Sequence, residues 1–354
     1  MNSVIKPSKP VYILSSASVA GMEEKDGPLG DQFDIIDSED DTFGKDTWEK
    51  AESEMQRLAI HKALALGLMK DSELDAVFAG DLLNQCAGSH YGQVSMDVPF
   101  LGLYGACSTA AEAVLMSTVL CSTYYTRCAA VTSSHNASAE RQFRFPLEYG
   151  SQRTPTSQWT VTGAGAFILT SDANDLKRPA HPGGYTVEIS RICPGKMVDA
   201  GVTDPNNMGA AMAPAAADTL TAFFENTKTL PGDYDMILTG DLGAEGSAIL
   251  RDIMKSRGTD IESIYNDCGM LIYDREAQDK HSGGSGCGCS AAVLSAYCLP
   301  LMRAGRLKQV LFLGTGALLN TMSILQGMSI PGIAHLVQLS AFPTARNAYG
   351  EVRV

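Results

Sequence analysis

The stretch "GACSTAAEAV", residues 105–114, decides how the chain is to be read. It sets Cys107 two places after a glycine and at the head of a nearly chargeless segment, since Glu112 is the sole charged residue from Cys107 to Thr126. A helix that is apolar on all sides has to be covered on all sides. The segment therefore predicts a central helix in which Cys107 occupies the strand-to-helix turn.

The same pattern recurs further along. "GCGCSAAVLSAY" (286–297) echoes it, with Cys289 matched to Cys107 when the Cys-Ser pairs are aligned. Upstream of each copy, a hydrophobic run closes on Gly-Asp-Leu: "DAVFAGDLLNQ" (75–85) and "DMILTGDLGAEG" (235–246). Downstream of each come a basic residue, Arg127 or Arg303, and a β-run, "CAAVTSS" (128–134) or "QVLFLGTG" (309–316). Two long matched halves describe one βα unit used twice, not a solenoid of many short repeats. Turn formers and charges cluster in "SDANDLKRPAHPGG" (171–184), which predicts the connection. The halves are accordingly placed at 1–175 and 176–354.

Strands alternate with helices, which predicts an α/β fold. "DTWEKAESEMQRLAIHKALAL" (46–66) places Trp48, Ala51, Met55, Leu58, Ala59 and Ala63 at 3/4 spacing, one dry face against one wet face. Asp46 and Glu49 form a capping box at its start in this reading. The two all-apolar helices pack back to back between two sheets, giving a five-layer α-β-α-β-α sandwich.

Composition narrows the function. The 354 residues are 45% hydrophobic and 19% charged, with a net charge of −13. So acidic a chain lacks the basic surface that binds nucleic acid. Its first 21 residues hold only the short apolar run Val11–Leu14, not a signal-peptide core. Gln309 to Ala345 carries no charge, yet glycines and Pro331 interrupt it, so no span of ~20 apolar residues survives. The nine cysteines form no regular framework and read as reduced, buried thiols of a cytoplasmic protein. The C-x-C of 287–289 lacks a second ligand pair for zinc. Asp81 and Asp241, at matching strand ends, fall short of the six or more oxygens a calcium ion takes and read as helix caps. No metal ligand and no cofactor is assigned.

The sandwich with a cysteine opening the first central helix resembles the thiolase superfamily, β-ketoacyl synthases included. "GACSTA" is similar to the nucleophile motif of its condensing enzymes, and "VLFLGTGAL" (310–318) to their glycine-rich strand end. Within that superfamily five segments in order resemble the stage V sporulation protein AD family of endospore-forming bacteria. They are "EKDGPLG" (24–30), "AGDLLNQ" (79–85), "SSHNASAERQFRFP" (133–146), "MGAAMAPAAADT" (208–219) and "GGSGCGCSA" (283–291). The resemblance implies binding of dipicolinic acid, or calcium dipicolinate, for its uptake into the developing spore. It also implies other stage V sporulation A proteins in the membrane as partners, a peripheral place at the forespore inner membrane, and a homodimer paired through the first-half sheet edge.

Cys107 is either an activated nucleophile or an inert core thiol, and its residues alone leave both open. A helix N-terminus lowers a thiol's pKa, but superfamily chemistry also needs His, Asn or Cys partners from the second half. Where condensing enzymes carry that His, this chain reads "LTGDLG", with Asp241 in its place, and a carboxylate repels a thiolate. No Asn or His aligns within "HSGGSGCGCSA" (281–291). His135 and His335 are further candidates, each weighed against a satisfied imidazole. The site expected from these residues is a vestigial nucleophile, Cys107, with His135, Arg141, Arg144, Thr162 and Asp241 around a ligand. Arg141 and Arg144 would grip its carboxylates, and Cys107 and Thr162 would line the floor. The rival function is a working condensing or acyl-transfer enzyme using Cys107; a structural subunit with an empty site is the third.

Overall fold

The computed structural model describes residues 4–143, 153–178 and 184–344, the side chains of 141–143 excepted. The first half contributes β1 (Tyr12–Ala20), β2 (Ala76–Gly80), β3 (Phe100–Leu103), β4 (Arg127–Ser134) and β5 (Gly163–Thr170). The second contributes β6 (Tyr185–Cys193), β7 (Met236–Thr239), β8 (Tyr265–Asp267), β9 (Gln309–Ala317) and β10 (Gly332–Pro343). Their spatial orders are β3-β2-β4-β5-β1 and β8-β7-β9-β10-β6. Directions match as well. β5 runs antiparallel to β1 and β4, as β10 does to β6 and β9. The pairs β2–β4 and β2–β3 are parallel, as are β7–β9 and β7–β8. The duplication read from the sequence is thus a duplication of topology. The two half-sheets meet edge to edge at β1 and β6 through the pair Tyr12 and Glu188, and the expected 175/176 boundary falls in the connection between β5 and β6.

Side-chain alternation sorts the strands into layers. In β9, Val310 and Phe312 face the central layer, while Leu311 and Leu313 face outward. In β2, Phe78 points to the centre, and Val77 and Ala79 point out. Between the sheets lie α2 (Thr109–Cys121) and α5 (Cys287–Val293), packed through Ala110, Ala111, Val114, Ala291, Ala292 and Val293. The outer layers are α1 (Trp48–Leu66) on one side, with α3 (Met208–Thr227) and α4 (Gly243–Ser256) on the other. This is the five-layer arrangement.

The α1 start departs from the expected capping box. Thr47 is the cap, its hydroxyl accepting from the Lys50 N–H at 3.4 Å. Asp46 instead ion-pairs with Lys50 at 2.7 Å on the exposed surface. The carboxylate gains a full opposite charge four residues on, which an N-cap bond does not offer.

Candidate functional site

Cys107 sits in a single helical turn, Ala106–Ser108, that leads into α2. Ala106 is held at φ 52°, a left-handed conformation that a side chain resists. Local bonds fix it there. The Thr109 hydroxyl donates to Ala106 O at 2.6 Å and accepts from the Gly105 N–H at 3.1 Å, and the Ser108 hydroxyl donates to Gly105 O at 2.6 Å. β9 presses on this turn so closely that a Cβ at Gly316 would lie 3.0 Å from Gly105 O and from Ser108 N. The glycine-rich "LGTG" is there to let a strand backbone reach a helix start.

The thiol faces the second half. It hydrogen-bonds the Asp241 carboxyl, with the Gly286 N–H and Cys287 as further neighbours. Asp241 is fully buried. Its Oδ1 accepts from the Thr315 hydroxyl at 2.8 Å, and its Oδ2 from the Gly286 N–H at 2.8 Å. The Asp241 N–H in turn donates to Thr315 Oγ1 at 3.1 Å, and Gln158 Nε2 donates to Asp241 O at 2.7 Å. Burial lifts the Asp241 carboxyl to about 6, although all three of its donors, Gly286, Cys107 and Thr315, oppose the rise. The Cys107 thiol is pushed well up, first by burial, then by the Asp241 charge. Such a sulfur is a neutral S–H donor and a poor nucleophile. The helix end that would favour thiolate is outweighed by a dry setting and a carboxylate.

The other expected residues are distributed differently. His135 is buried against Trp48, with ring centroids 5.2 Å apart. Its Nε2 lies 2.9 Å from Asp41 O, and its Nδ1 accepts from the Ala137 N–H at 3.2 Å, so both nitrogens are occupied. Thr162 belongs with Glu24: its N–H donates to Glu24 Oε1 at 3.0 Å, and its hydroxyl accepts from the Asn136 N–H at 3.2 Å. His335 accepts from the Gly195 N–H at 3.1 Å, and burial lowers its pKa. Arg144 and the side chain of Arg141 lie outside the described residues. Of the expected set, the structure joins Cys107 with Asp241.

Asp241 does not cap the helix that follows it. Asp267 does so from the end of β8, accepting from the N–H groups of Leu242 at 2.8 Å and Gly243 at 3.0 Å and from the Thr239 hydroxyl at 2.6 Å. Asp241 is already engaged with Thr315 and Gly286, and the nearer donors fall to its neighbour. Asp81 keeps the expected local role, accepting from the Leu83 N–H at 2.8 Å and the Ser89 N–H at 2.7 Å.

A second thiol–acid corner mirrors the first. Cys287 opens α5 as Cys107 opens the turn into α2, and the residue before each has positive φ: Gly286 at 108° and Ala106 at 52°. This geometry pairs Cys107 with Cys287, two places earlier than the Cys-Ser alignment put its counterpart. Cys287 donates to Ser133 O at 3.0 Å, and its pKa is pushed well up first by burial, then by the charges of Asp81, Glu52 and Asp241. Glu52, on the dry side of α1, accepts from Ser133 Oγ at 3.0 Å and Ser138 Oγ at 2.7 Å. Burial and the nearby Asp81 lift it to about 8. A carboxylate next to Ala51 on the dry face of α1 was the sequence signal for it.

Among the described residues, no group of three or more His, Cys, Asp or Glu side chains is placed to hold a metal ion. Among them, too, no helix is long and apolar enough to cross a membrane.

Two duplicated halves, with a cysteine where the first central helix begins, define a thiolase-like fold. 3-oxoacyl-[acyl-carrier-protein] synthase III of Aquifex aeolicus is 11% identical, with 93% of this chain and 99% of that one covered and a TM-score of 0.56. OleA of Xanthomonas campestris is 14% identical, covering 94% and 98%, with a TM-score of 0.57. At such identity these neighbours speak for the fold alone. The family model of stage V sporulation protein AD matches residues 2–340. Stage V sporulation protein AD of Bacillus subtilis is 42% identical over 327 residues, 92% of this chain and 93% of that protein. The chain belongs to the stage V sporulation protein AD family.

Proposed function

We propose that this protein binds dipicolinic acid, free or as calcium dipicolinate, on a thiolase-like scaffold whose catalysis is impaired, and that it serves uptake of the ligand into the developing spore. One observation carries the impaired half of this reading: the Cys107 thiol bonds a buried carboxyl where a condensing reaction needs an imidazole. A carboxylate there opposes both the thiolate and the enolate that would follow it. The ligand itself follows from the family resemblance. Cys107, 7% exposed, lies beside the Gly316 end of β9, and strand ends are where α/β folds place ligands. Arg141 and Arg144 are the proposed clamp for its carboxylates. The protein acts at the forespore inner membrane beside other stage V sporulation A proteins, as a homodimer. The half-exposed β3 edge, with Leu101 37% exposed and Tyr104, just beyond the strand, 54% exposed, suits that pairing.

Two measurements test it. Dipicolinate raises the Tm of the full chain in a concentration-dependent way, and the Arg141→Ala and Arg144→Ala variants lose that response. Incubation with acyl-coenzyme A leaves the intact mass unchanged. A mass gain that disappears in Cys107→Ala establishes the rival, an acyl-transfer enzyme. No response in either assay leaves a structural subunit.

A further inference from the structure

Residues 318–331 join β9 to β10 as a hairpin with an apolar tip. No Asp, Glu, Lys or Arg occurs anywhere from Gln309 to Ala345. The foot of the hairpin is anchored. Leu319 and Ile330 pack into the outer core with α3 and α4, the Leu318 N–H donates to Pro331 O at 3.0 Å, and the Ile330 N–H donates to Val202 O at 2.7 Å. Asp199 accepts from the Ser329 hydroxyl at 2.6 Å at this foot. The tip is ordered by its own bonds. Asn320 caps the short helix Thr321–Leu325, its side chain accepting from the N–H groups of Met322 at 3.0 Å and Ser323 at 3.2 Å. The N–H groups of Gln326, Gly327 and Met328 close back onto Met322 O, Ile324 O and Ser323 O at 3.0, 2.9 and 3.0 Å. A three-residue spacing then sets Met322, Leu325 and Met328 outward, 61%, 75% and 54% exposed, beside Leu318 at 49%.

Resting on the membrane location proposed above, we propose that this tip is the surface that meets the bilayer, entering the boundary between headgroups and acyl chains. Water disfavours four large apolar side chains held out in one place. A lipid surface accepts them, because the segment brings no charge with it. Lipid also requires backbone polar groups to be satisfied internally, and the cap and the closing bonds of the tip do this. A second copy of the chain is a poorer occupant. A stable dimer engages roughly 20–30 residues a side, far more than this tip offers, whereas shallow insertion needs only a small apolar face. A protein partner would find no charge on the segment to fix its register. With a net charge of −13, the chain is not drawn to anionic lipid, so apolar insertion is what holds it. The hairpin leaves β9 just past Gly316, which abuts the Cys107 turn, so the Cys107 corner lies on the membrane side.

The test is flotation of the full chain with vesicles of phosphatidylcholine alone and of phosphatidylcholine mixed with phosphatidylglycerol, at about 0.1 M and about 0.5 M NaCl. Binding to both vesicles, undiminished by salt, is expected. Met322→Gln, Leu325→Gln and Met328→Gln combined should lower partitioning at least tenfold with the Tm unchanged, and the exposed Tyr124→Gln should leave it as it is. Leu325→Gln alone serves if the triple variant does not fold. Leu325→Cys gives a second readout. The nine native cysteines are buried, so an environment-sensitive dye labels the new thiol, and its emission should shift to the blue when vesicles are added. Flotation that survives the triple substitution, or that requires anionic lipid and is lost at high salt, overturns the proposal and leaves a membrane location by another surface. A triple variant that falls from dimer to monomer in size-exclusion chromatography overturns it in favour of a contact between copies. No flotation on any vesicle overturns it as well, and the membrane location then rests on protein partners alone. Dipicolinate binding is read separately by Tm, so failure here and failure of that reading are told apart.

Discussion

Cys107 and Cys287 occupy matched corners of a duplicated fold, and they differ in what was built behind them. Cys107 looks across the central layer at Asp241, keeps a slight opening, and has as its acid's partners a hydroxyl and one N–H. Cys287 is sealed and backed by two acids, Glu52 and Asp81, inside a network of Ser89, Ser133, Ser138 and Gln56. The contrast follows from the outer helices. α1 sends Glu52 and Gln56 inward, where Gln56 Nε2 donates to Gly80 O at 3.1 Å and to Ser89 and Ser133 at 2.9 Å. α3 turns alanines and methionines toward its own sheet. One corner has become a polar core, and the other has stayed a niche. A duplicated unit can thus set one acid behind one cysteine and a network of acids, serines and an amide behind the other.

The sharpest way to break this comparison is to add one carbon to each corner. A Cβ at Gly288 would meet Gly163 O at 2.3 Å and Ser134 N at 2.5 Å, all rigid backbone. A Cβ at Gly316 would stand 3.0 Å from Gly105 O and Ser108 N. Gly288→Ala is expected to cost about 3 kcal/mol of unfolding free energy, and Gly316→Ala about 1 kcal/mol. Urea denaturation checks both. Equal losses would mean that the sealed corner is no tighter than the open one.

The next effect is one of pH. Glu52 has its folded pKa lifted to about 8, chiefly by burial and then by Asp81. A raised carboxyl binds its proton more tightly in the folded chain, so its stabilisation is complete below the unfolded value near 4.5 and is lost as pH rises toward 8. Glu24 and Asp267, each pushed up to about 7 by burial, add to the slope in the same direction. Stability should therefore fall between pH 6 and pH 8. In Glu52→Gln, a neutral near-isostere, the fall should shrink by about 2 kcal/mol, leaving the variant relatively more stable at pH 8. Tm series of both proteins at fixed ionic strength decide it. An unchanged slope would mean that Glu52 is ionised throughout.

These acids also mark the limit of what could be read from the sequence. The duplicated strands, the two chargeless helices and the layering were legible because hydrophobic period and repeated Gly-Asp-Leu ends are local patterns. Asp241 was legible for the same reason, as a strand-end acid standing where the superfamily has a base. What it bonds was not. Thr315 lies 74 residues away and Gly286 45 away, and such contacts exist only after the second half has folded. His135 illustrates the converse. It sits next to a motif and looks functional in a linear reading, yet a carbonyl from the Asp41 loop and the Ala137 N–H absorb its ring. Glu52 was hidden within a dry stripe, its serine partners contributed by β4 and the helix Asn136–Phe143.

The smallest expected difference probes how each acid is held. Thr315 donates to Asp241 at 2.8 Å and also accepts the Asp241 N–H, so Thr315→Val removes two bonds at nearly constant shape. Ser89 donates to Asp81 at 2.6 Å, but the Ser89 and Leu83 N–H groups remain after Ser89→Ala. Asp81 keeps two backbone N–H donors, whereas Asp241 keeps one backbone N–H and the weaker Cys107 thiol and loses more. Thr315→Val should cost about 1.5 kcal/mol and Ser89→Ala about 1 kcal/mol. Only the former should raise the Asp241 pKa further, speeding Cys107 alkylation by iodoacetamide least at pH 6 and most above it, where the unmodified chain carries Asp241 ionised. That last expectation carries a sign that tests the pairing itself. If Asp241 acts on Cys107 mainly as a charge, keeping it protonated relieves the thiol and alkylation quickens. If it acts mainly as the acceptor that holds the S–H, protonation turns Asp241 toward donation and frees the sulfur as well. Both routes predict faster modification at neutral pH than in the unmodified chain, so a slower rate in Thr315→Val at pH 7.5 would show that Asp241 does not control Cys107.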